Sequence, residues 1–292
     1  MIIRDALKKG TDIIKSAGIE TPTLEAGVIL CHVLGRDKIY IYTHGDNELQ
    51  PSQEEKYFEL LKKRTSGVPV QHITGTQEFM SLPFRVNEHV LIPRQDTEIL
   101  VETVMEWVKN QKTQSQDKVK IMDIGTGSGC IAVSLAYYIG NSFITAVDIS
   151  EMALRTARLN AEANNVADRI IFIHSNLFED IPSEYFGGLY DVIVSNPPYI
   201  PTEDIKHLQK EVRCFDPLVA LDGGQDGLEF YRAIINRADD FLKPGGLLAL
   251  EVGFGQADAV AALMKGKFED IRKTKDLSGI ERVVSGCRET AL

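Results

Sequence analysis

Residues 121–129 read IMDIGTGSG, a mostly apolar run that leads directly into three glycines at alternate positions. The run predicts a buried strand, and helical spacing begins at Cys130, so the glycines lie between a strand and a helix. Glycine lets the backbone approach a ligand closely, and free N–H groups at a helix start favour negative or polar ligand groups. The stretch therefore predicts a ligand-binding loop at the end of a strand.

On both sides of this loop, short β-branched runs alternate with helical patterns, and most of the runs are mainly apolar. Alternating β and α elements with such strands predict an α/β fold, a parallel sheet covered by helices on both faces. The last two runs face each other across a turn, which predicts an antiparallel hairpin. The predicted strands are 120–124, 143–149, 170–174, 191–195, 247–252, 268–273 and 281–285, and the predicted helices are 130–139, 151–164, 228–241 and 256–265.

The first part of the chain has apolar residues at helical spacing and predicts a small all-helical domain. Asp5, Thr23 and Ser52 are candidate N-caps, and Glu55 follows Ser52 at the spacing of a capping box. Short extended pieces at 78–80, 84–86 and 90–92 then predict a β-hairpin that links two domains. The predicted domains are a helical domain at 1–75, a hairpin linker at 76–93 and an α/β domain at 94–292.

The glycine spacing also narrows the class of ligand. Cys130 stands where the dinucleotide fingerprint GxGxxG requires its last glycine, which argues against NAD. Asp148 ends the next predicted strand, twenty-three residues after Gly125, where doubly wound folds place a carboxylate that binds both ribose hydroxyls. Asp123 is suited to hold the loop through the loop's backbone N–H groups and to lie near a ligand's ammonium group.

This DxGxGxG pattern with its acidic partner resembles the S-adenosyl-L-methionine site of Rossmann-like methyltransferases, in which S-adenosyl-L-homocysteine is the product. The plainer alternative is a glycine turn that only packs a helix on a strand. Asn176 and Leu177 follow the third predicted strand and are expected beside the adenine. The predicted cofactor-binding residues are Asp123, Gly125, Thr126, Gly127, Ser128, Gly129, Asp148, Asn176, Leu177 and Asn196.

A second motif, Asn196-Pro197-Pro198-Tyr199, ends the fourth predicted strand beside the glycine strand. Prolines cannot continue a central strand, so they form a rigid corner. An amide or aromatic amine nitrogen is a poor nucleophile, and two fixed acceptors, the Asn196 side-chain oxygen and the Pro197 carbonyl, can hold both of its N–H bonds. Tyr199 would wall the planar group. The corner therefore predicts methyl transfer to such a nitrogen, the alternative being a turn that happens to hold an asparagine.

Composition excludes several classes of protein. The 292 residues carry a formal charge of −10, which disfavours tight binding to nucleic acid backbones. The four cysteines are scattered without a CxxC pair, which argues against disulfides and zinc and predicts no metal site and a cytoplasmic location. No run approaches about 18 uninterrupted apolar residues, so no membrane span is expected.

Along nearly its full length the chain resembles the peptide chain release factor glutamine N5-methyltransferases. The matching segments are Gln71 to Gly75, Pro93 to Glu98, the glycine loop, the NPPY corner, and Asp216-Pro217 running to Gly224. The resemblance implies a seven-stranded Rossmann-like methyltransferase sheet and a helical domain that docks the partner. The implied substrate is the glutamine of the release factor's GGQ loop, gripped by Asn196, Pro197, Pro198 and Tyr199. His72 and Asn176 depart from the tyrosine and the acid common in that family.

Several alternatives remain open at this stage. The NPPY motif is shared with enzymes that methylate the N6 of adenine or the N4 of cytosine, although this acidic chain has no basic target-recognition region. A non-catalytic protein could use the glycine loop to bind the cofactor as a ligand. Phe79 is a candidate wall of the glutamine pocket or a core residue, and Thr97 closes over the cofactor or caps a helix. Nothing in the sequence requires more than a monomer.

Overall fold

The computed structural model describes residues 1–111, 118–183 and 190–289, which group into two compact units. The first unit comprises Met1–Thr76 and Gln209–Phe215, and the second comprises Gln77–Leu208 and Asp216–Leu292. No helix among the described residues is long and apolar enough to cross a membrane.

The first unit is helical and has a core of its own. Arg64 is 2% exposed and forms ion pairs with Glu25 and, through Nη2 to Oε1 at 2.6 Å, with Glu211. A buried guanidinium is tolerated only when its charge is paired, so this pair of contacts holds helices of the unit together. Its helices are α1 (Ile3–Ser16), α2 (Pro22–Leu34), α3 (Lys38–Thr43), α4 (Pro51–Thr65), α5 (Val70–Thr74) and, in the later segment of this unit, α9 (Lys210–Phe215).

The predicted caps of these helices are wrong. Helix α1 begins at Ile3, before Asp5, and helices α2 and α4 begin at Pro22 and Pro51. Proline is pre-organised for the first helical position, so α2 and α4 begin at their prolines and not after the threonine or serine that follows. Gln53, not Glu55, accepts the hydrogen bond from the N-cap, from Gln50 N at 3.0 Å.

The second unit is built on a sheet of seven strands. The strands are β3 (Val119–Ile124), β4 (Ser142–Asp148), β5 (Ile170–His174), β6 (Tyr190–Ser195), β7 (Leu242–Glu251), β8 (Phe268–Lys275) and β9 (Glu281–Arg288). Their order in the sheet is β5-β4-β3-β6-β7-β9-β8. The pairs among the first five strands of this order are parallel, and β9 pairs antiparallel with both β7 and β8, so the seven-stranded α/β fold is confirmed.

Helices cover both faces of this sheet because its strands are apolar on both sides. One face packs against α6 (Glu98–Gln111), α7 (Cys130–Tyr138) and α8 (Glu151–Ala163), and the other packs against α10 (Glu229–Phe241) and α11 (Ala257–Met264). The chain moves outward from β3 to β5 and then returns to β6 on the opposite side of β3. Ligands of such sheets bind at this switch point, outside the carboxyl ends of the strands.

The predicted hairpin consists of β1 (Thr76–Phe79) and β2 (Leu82–Arg85), which form a two-stranded sheet. The third extended piece, 90–92, belongs to no strand. Val90 instead packs with Val86 and Ala153 in a small buried cluster. The piece is apolar because it is buried, which periodicity alone does not distinguish from strand formation.

Candidate functional site

A cavity opens at the carboxyl ends of β3, β4, β5 and β6, and the loop that follows each strand contributes to its wall. Its lining includes ten of the residues that the sequence analysis singled out. These are Gly125, Thr126, Gly127, Ser128, Asp148, Asn176, Leu177, Asn196, Pro197 and Pro198. Asp123, Gly129, Tyr199 and Phe79 lie outside this lining.

The glycines of the loop have two different structural tasks. All three have positive φ, at +73° for Gly125, +55° for Gly127 and +79° for Gly129, a region that side chains with a Cβ rarely adopt. A Cβ on Gly125 or Gly127 would meet nothing within 4 Å, whereas one on Gly129 would lie 2.9 Å from the Ala157 Cβ. The first two glycines therefore keep the backbone accessible, and the third lets α7 pack on α8.

This difference predicts different outcomes for the same substitution. Gly129→Ala adds backbone strain to a steric overlap, and we expect it to lower the free energy of unfolding by about 2–4 kcal/mol. Gly127→Ala is strained but free of overlap, so we expect a loss of about 1–2 kcal/mol. Urea denaturation of the two variants would measure both values, and equal losses would contradict the packing role of Gly129.

Asp148 anchors the glycine loop from the neighbouring strand. Its Oδ2 accepts a hydrogen bond from Gly127 N at 2.8 Å, and its Oδ1 accepts one from Ser150 N at 2.8 Å. Burial raises the pKa of Asp148, and these two backbone hydrogen bonds oppose the shift. Each carboxylate oxygen has a second lone pair, so the group can hold the loop and still accept hydrogen bonds from a ligand.

Asp123 supports the loop from below the cavity. It is fully buried, and its Oδ2 accepts a hydrogen bond from the Thr126 hydroxyl at 2.6 Å. Its other oxygen, Oδ1, has no hydrogen-bond partner in the described part of the chain. Desolvation raises the pKa of this carboxyl to about 7, against the opposing hydrogen bond from Thr126. Asp123 thus contacts the loop through the Thr126 side-chain hydroxyl, whereas backbone N–H groups were expected.

The loop after β5 adds a residue in a strained conformation. Leu177 lines the cavity with φ at +51°, which is uncommon for a residue other than glycine, asparagine or aspartate. Asn176 is exposed and donates from Nδ2 to the Glu179 Oε2 at 2.9 Å. Backbone strain of this kind concentrates at functional sites. The segment thus presents an apolar side chain and an amide to the same cavity.

Hydrogen bonds and close packing hold the NPPY corner in place. Ser195 donates from Oγ to Ile124 O at 2.7 Å, which ties the end of β6 to the end of β3. Asn196 donates from Nδ2 to the Thr97 Oγ1 at 3.2 Å. Gly223 packs so closely beneath the corner that a Cβ there would lie 2.7 Å from the Tyr199 Cα. The segment Gly223-Gly224-Gln225 therefore packs closely against the corner.

Tyr199 lies behind the corner. Its carbonyl accepts a hydrogen bond from the Gln256 Nε2 at 2.9 Å, and a Cβ on Gly253 would lie 2.9 Å from its Cδ2. Burial raises the pKa of Tyr199 to about 12. Its ring is packed in the protein and is not part of the cavity wall.

Phe79 is a core residue, so the expectation that it walls a substrate pocket does not hold for this cavity. It is 1% exposed and packs edge-on against Phe84, with ring centroids 6.0 Å apart. An aromatic residue of a short hairpin buries most area by facing the adjacent core.

Sequence reasoning missed two polar groups beside the cavity. Asp216 forms an ion pair with Arg94, Oδ2 to Nη2 at 2.8 Å, which joins two segments that both line the cavity. Glu251 is 3% exposed at the end of β7. The sequence signal that could have identified it is a glutamate that directly follows the apolar residues 247–250. Thr97 lines the cavity, and Glu98 accepts a hydrogen bond from Met80 N at 2.6 Å.

Known proteins resemble the chain over both units. The PrmC N-terminal domain family matches residues 5–75, and the methyltransferase small domain family matches residues 96–212. A release factor glutamine methyltransferase of Clostridium botulinum is 38% identical over 285 residues, which cover 97% of this chain and 98% of that protein. One of Geobacter sulfurreducens is 40% identical over 285 residues, which cover 97% of this chain and 96% of that protein.

Among solved structures, the T. thermophilus 16S rRNA N2 G1207 methyltransferase in complex with AdoMet and guanosine matches with a TM-score of 0.51. The match is 18% identical and covers 73% of this chain and 50% of that chain. This likeness establishes the methyltransferase fold of the sheet unit.

Proposed function

The chain belongs to the family of release factor glutamine methyltransferases, and from this premise we propose how its residues carry out the reaction. It is an S-adenosylmethionine-dependent methyltransferase that acts on a glutamine of a peptide chain release factor. The observation that carries this assignment is identity of 37–40% with three such enzymes over at least 96% of their lengths.

The residues around the cavity fit S-adenosylmethionine. Gly125 and Gly127 leave open space where side chains would otherwise project. The Asp148 carboxylate lies at the end of β4, and each of its oxygens has a lone pair that accepts no backbone hydrogen bond. We assign Asp148 to the ribose hydroxyls, the loop 125–129 to the amino-acid end, and Asn176 and Leu177 to the adenine. Asp123 positions the loop through Thr126. When bound, S-adenosylmethionine supplies an electrophilic methyl group on a sulfonium and leaves as S-adenosylhomocysteine.

We assign the substrate amide to the NPPY corner. The Asn196 Oδ1 and the Pro197 carbonyl accept hydrogen bonds from the two N–H bonds of the glutamine side chain, which presents the out-of-plane face of the nitrogen. As the nitrogen gains positive charge, both acceptors hold it more strongly, so this stabilisation is realised mainly in the transition state. The acceptor is the side-chain nitrogen N5, and no base has to remove a proton beforehand.

The other residues of the corner support those two acceptors. Pro197 and Pro198 have fixed φ angles, so little freedom is lost when the substrate is held. Tyr199 supports the corner from behind, through its carbonyl and its packed ring. Phe79, with 1% exposure, is not assigned to the substrate.

We further propose that the acceptor is the glutamine of the release factor's GGQ motif. Residues 1–75 form the domain that docks the release factor. Residues 76–93 link this domain to the methyltransferase domain at 94–292. The match of residues 5–75 to the PrmC N-terminal domain supports the separate docking role. We also propose that the protein works as a monomer in the cytoplasm and does not bind nucleic acid directly. Its formal charge of −10 supports the last point.

Mass spectrometry of purified release factor, incubated with the protein and S-adenosylmethionine, tests the assignment. We expect a gain of one methyl group, located on the GGQ glutamine by fragmentation. DNA and RNA duplexes incubated in parallel should remain unmodified. Methylated adenine or cytosine with an unmodified release factor would replace the protein substrate by a nucleic acid, and methylation of a different glutamine would overturn the GGQ assignment.

A further inference from the structure

A buried carboxyl group stands behind the NPPY corner. Ser195 pairs with Leu250 across strands β6 and β7. The next residues, Asn196 just after β6 and Glu251 at the end of β7, therefore lie at the same level. Glu251 is 3% exposed, and its Oε2 has no hydrogen-bond partner within the described ranges. Burying a carboxyl group with an unused oxygen is costly. Such a group calls for a functional explanation.

Glu251 lies near Asn196 and Thr97, and both of these side chains lower the pKa of its carboxyl. The Asn196 Nδ2 donates to the Thr97 Oγ1 at 3.2 Å, which leaves the Thr97 hydroxyl hydrogen free to donate elsewhere. Hydrogen bonding toward Thr97 and Asn196 opposes the rise in the pKa of the Glu251 carboxyl. The amino side of the Asn196 amide thus faces two acceptors, and no described residue donates a hydrogen bond to its Oδ1.

An asparagine amide can turn over with little change in shape, since its oxygen and nitrogen ends are nearly equal in size. The turned amide would present N–H donors to the N–H donors of the substrate amide. We propose that Glu251 is a positioning residue that, with Thr97, holds Asn196 with Nδ2 toward the sheet and Oδ1 toward the cavity. This inference rests on the proposed role of Asn196.

Besides orienting the Asn196 amide, the Glu251 carboxylate acts through its negative charge. A carboxylate beside Nδ2 favours negative charge on Oδ1 and stabilises the positive charge that develops on the substrate nitrogen. Desolvation raises the pKa of Glu251 to about 7, Asp96 adds to the shift, and Arg282, Thr97 and Asn196 oppose it. The other titratable groups that Glu251 acts upon are Cys130, Tyr199 and Tyr231.

The raised pKa fixes the sign of the effect on stability. A carboxyl whose pKa is higher in the folded state than its ordinary value of 4.5 destabilises the fold once it ionises. That destabilisation is absent below the ordinary value and fully present above pH 7. A neutral replacement should therefore raise the melting temperature at pH 8 more than at pH 5.

Two variants of the full chain, Glu251→Gln and Glu251→Leu, separate positioning from structure. Glutamine keeps an acceptor without the charge, and leucine keeps neither. We expect kcat for release factor methylation to fall by less than about tenfold in Glu251→Gln and by about 30-fold in Glu251→Leu, since hydrogen bonds to charged groups are worth that much. The Kd for S-adenosylhomocysteine should stay within about twofold, and both variants should melt higher than wild type at pH 8.

Tyr231→Phe is the matched control. It removes a buried hydrogen bond from the Tyr231 hydroxyl to the Glu251 carbonyl, 3.0 Å long, and leaves the carboxyl group untouched. It should lower the melting temperature and retain wild-type kcat.

Each contrary outcome has a definite meaning. Wild-type kcat in Glu251→Leu would overturn the inference while leaving the proposed function intact. Equal loss of kcat and of cofactor affinity would overturn it by assigning Glu251 to the cofactor site. Wild-type protein that leaves the release factor unmodified would overturn the proposed function and, with it, this inference.

Discussion

Replacing Asn196 by alanine is expected to lower kcat for release factor methylation by about 10²–10³-fold. The variant removes the side-chain acceptor that is proposed to hold one N–H of the glutamine amide, and deleting one such transition-state contact in other enzymes costs about this factor. Asn196 is held from behind by Thr97, so alanine leaves the surrounding walls in place. The Kd for S-adenosylhomocysteine should change by less than about fivefold, because most of the proposed cofactor contacts come from other loops.

Asn164→Ala is the matched control for this prediction. Asn164 is 6% exposed and donates from Nδ2 to Pro83 O at 3.1 Å and to Asn160 O at 2.9 Å, but it does not line the cavity. Its loss should reduce stability and leave kcat unchanged. If Asn196→Ala retains more than a tenth of the wild-type kcat, the glutamine amide is held by other groups.

Replacing Asp148 by asparagine is expected to weaken cofactor binding by about 100-fold. Asp148 accepts backbone hydrogen bonds on both oxygens, from Gly127 and from Ser150, each at 2.8 Å. An asparagine presents an NH₂ group to one of these N–H donors, which repels the glycine loop, and it also loses the charge that favours the ribose hydroxyls. Hydrogen bonds to charged groups contribute about 1.5–3 kcal/mol each. Titration calorimetry with S-adenosylhomocysteine measures the effect without turnover.

Asp191→Asn is a control of the same chemistry at the opposite end of the sheet. Asp191 accepts a backbone hydrogen bond from Lys120 N at 2.8 Å and does not line the cavity. This variant should bind S-adenosylhomocysteine like the wild type. Unchanged affinity in Asp148→Asn would remove Asp148 from the cofactor site.

The order and type of the sheet-unit elements were predictable because they depend on short-range patterns. Mostly apolar runs of five or six residues predicted β3, β6 and the end of β7, and helical spacing predicted α8 and α10 within one residue at each end. Helix starts in the first unit were not predicted, because Pro22 and Pro51 compete with the neighbouring polar residues for the first turn.

The candidate site was predictable where a motif directly follows a strand. The glycine loop, Asp148 and the NPPY corner each end a parallel strand, and such ends meet at one edge of the sheet. Tyr199 was expected in the wall because it belongs to the motif, yet it packs behind the corner. Phe79 was a candidate because it is aromatic, and burial against Phe84 decided otherwise.

By itself, the sequence determined the strands and helices, the glycine loop, the aspartate that ends β4 and the proline corner, because each depends on residues close together in the chain. Only the tertiary structure placed Glu251 level with Asn196, brought Thr97 against the Asn196 amide, set Ala157 against Gly129 and joined Arg94 to Asp216. Those contacts depend on strand order and register. Both arise from packing between distant segments, which no local spacing encodes.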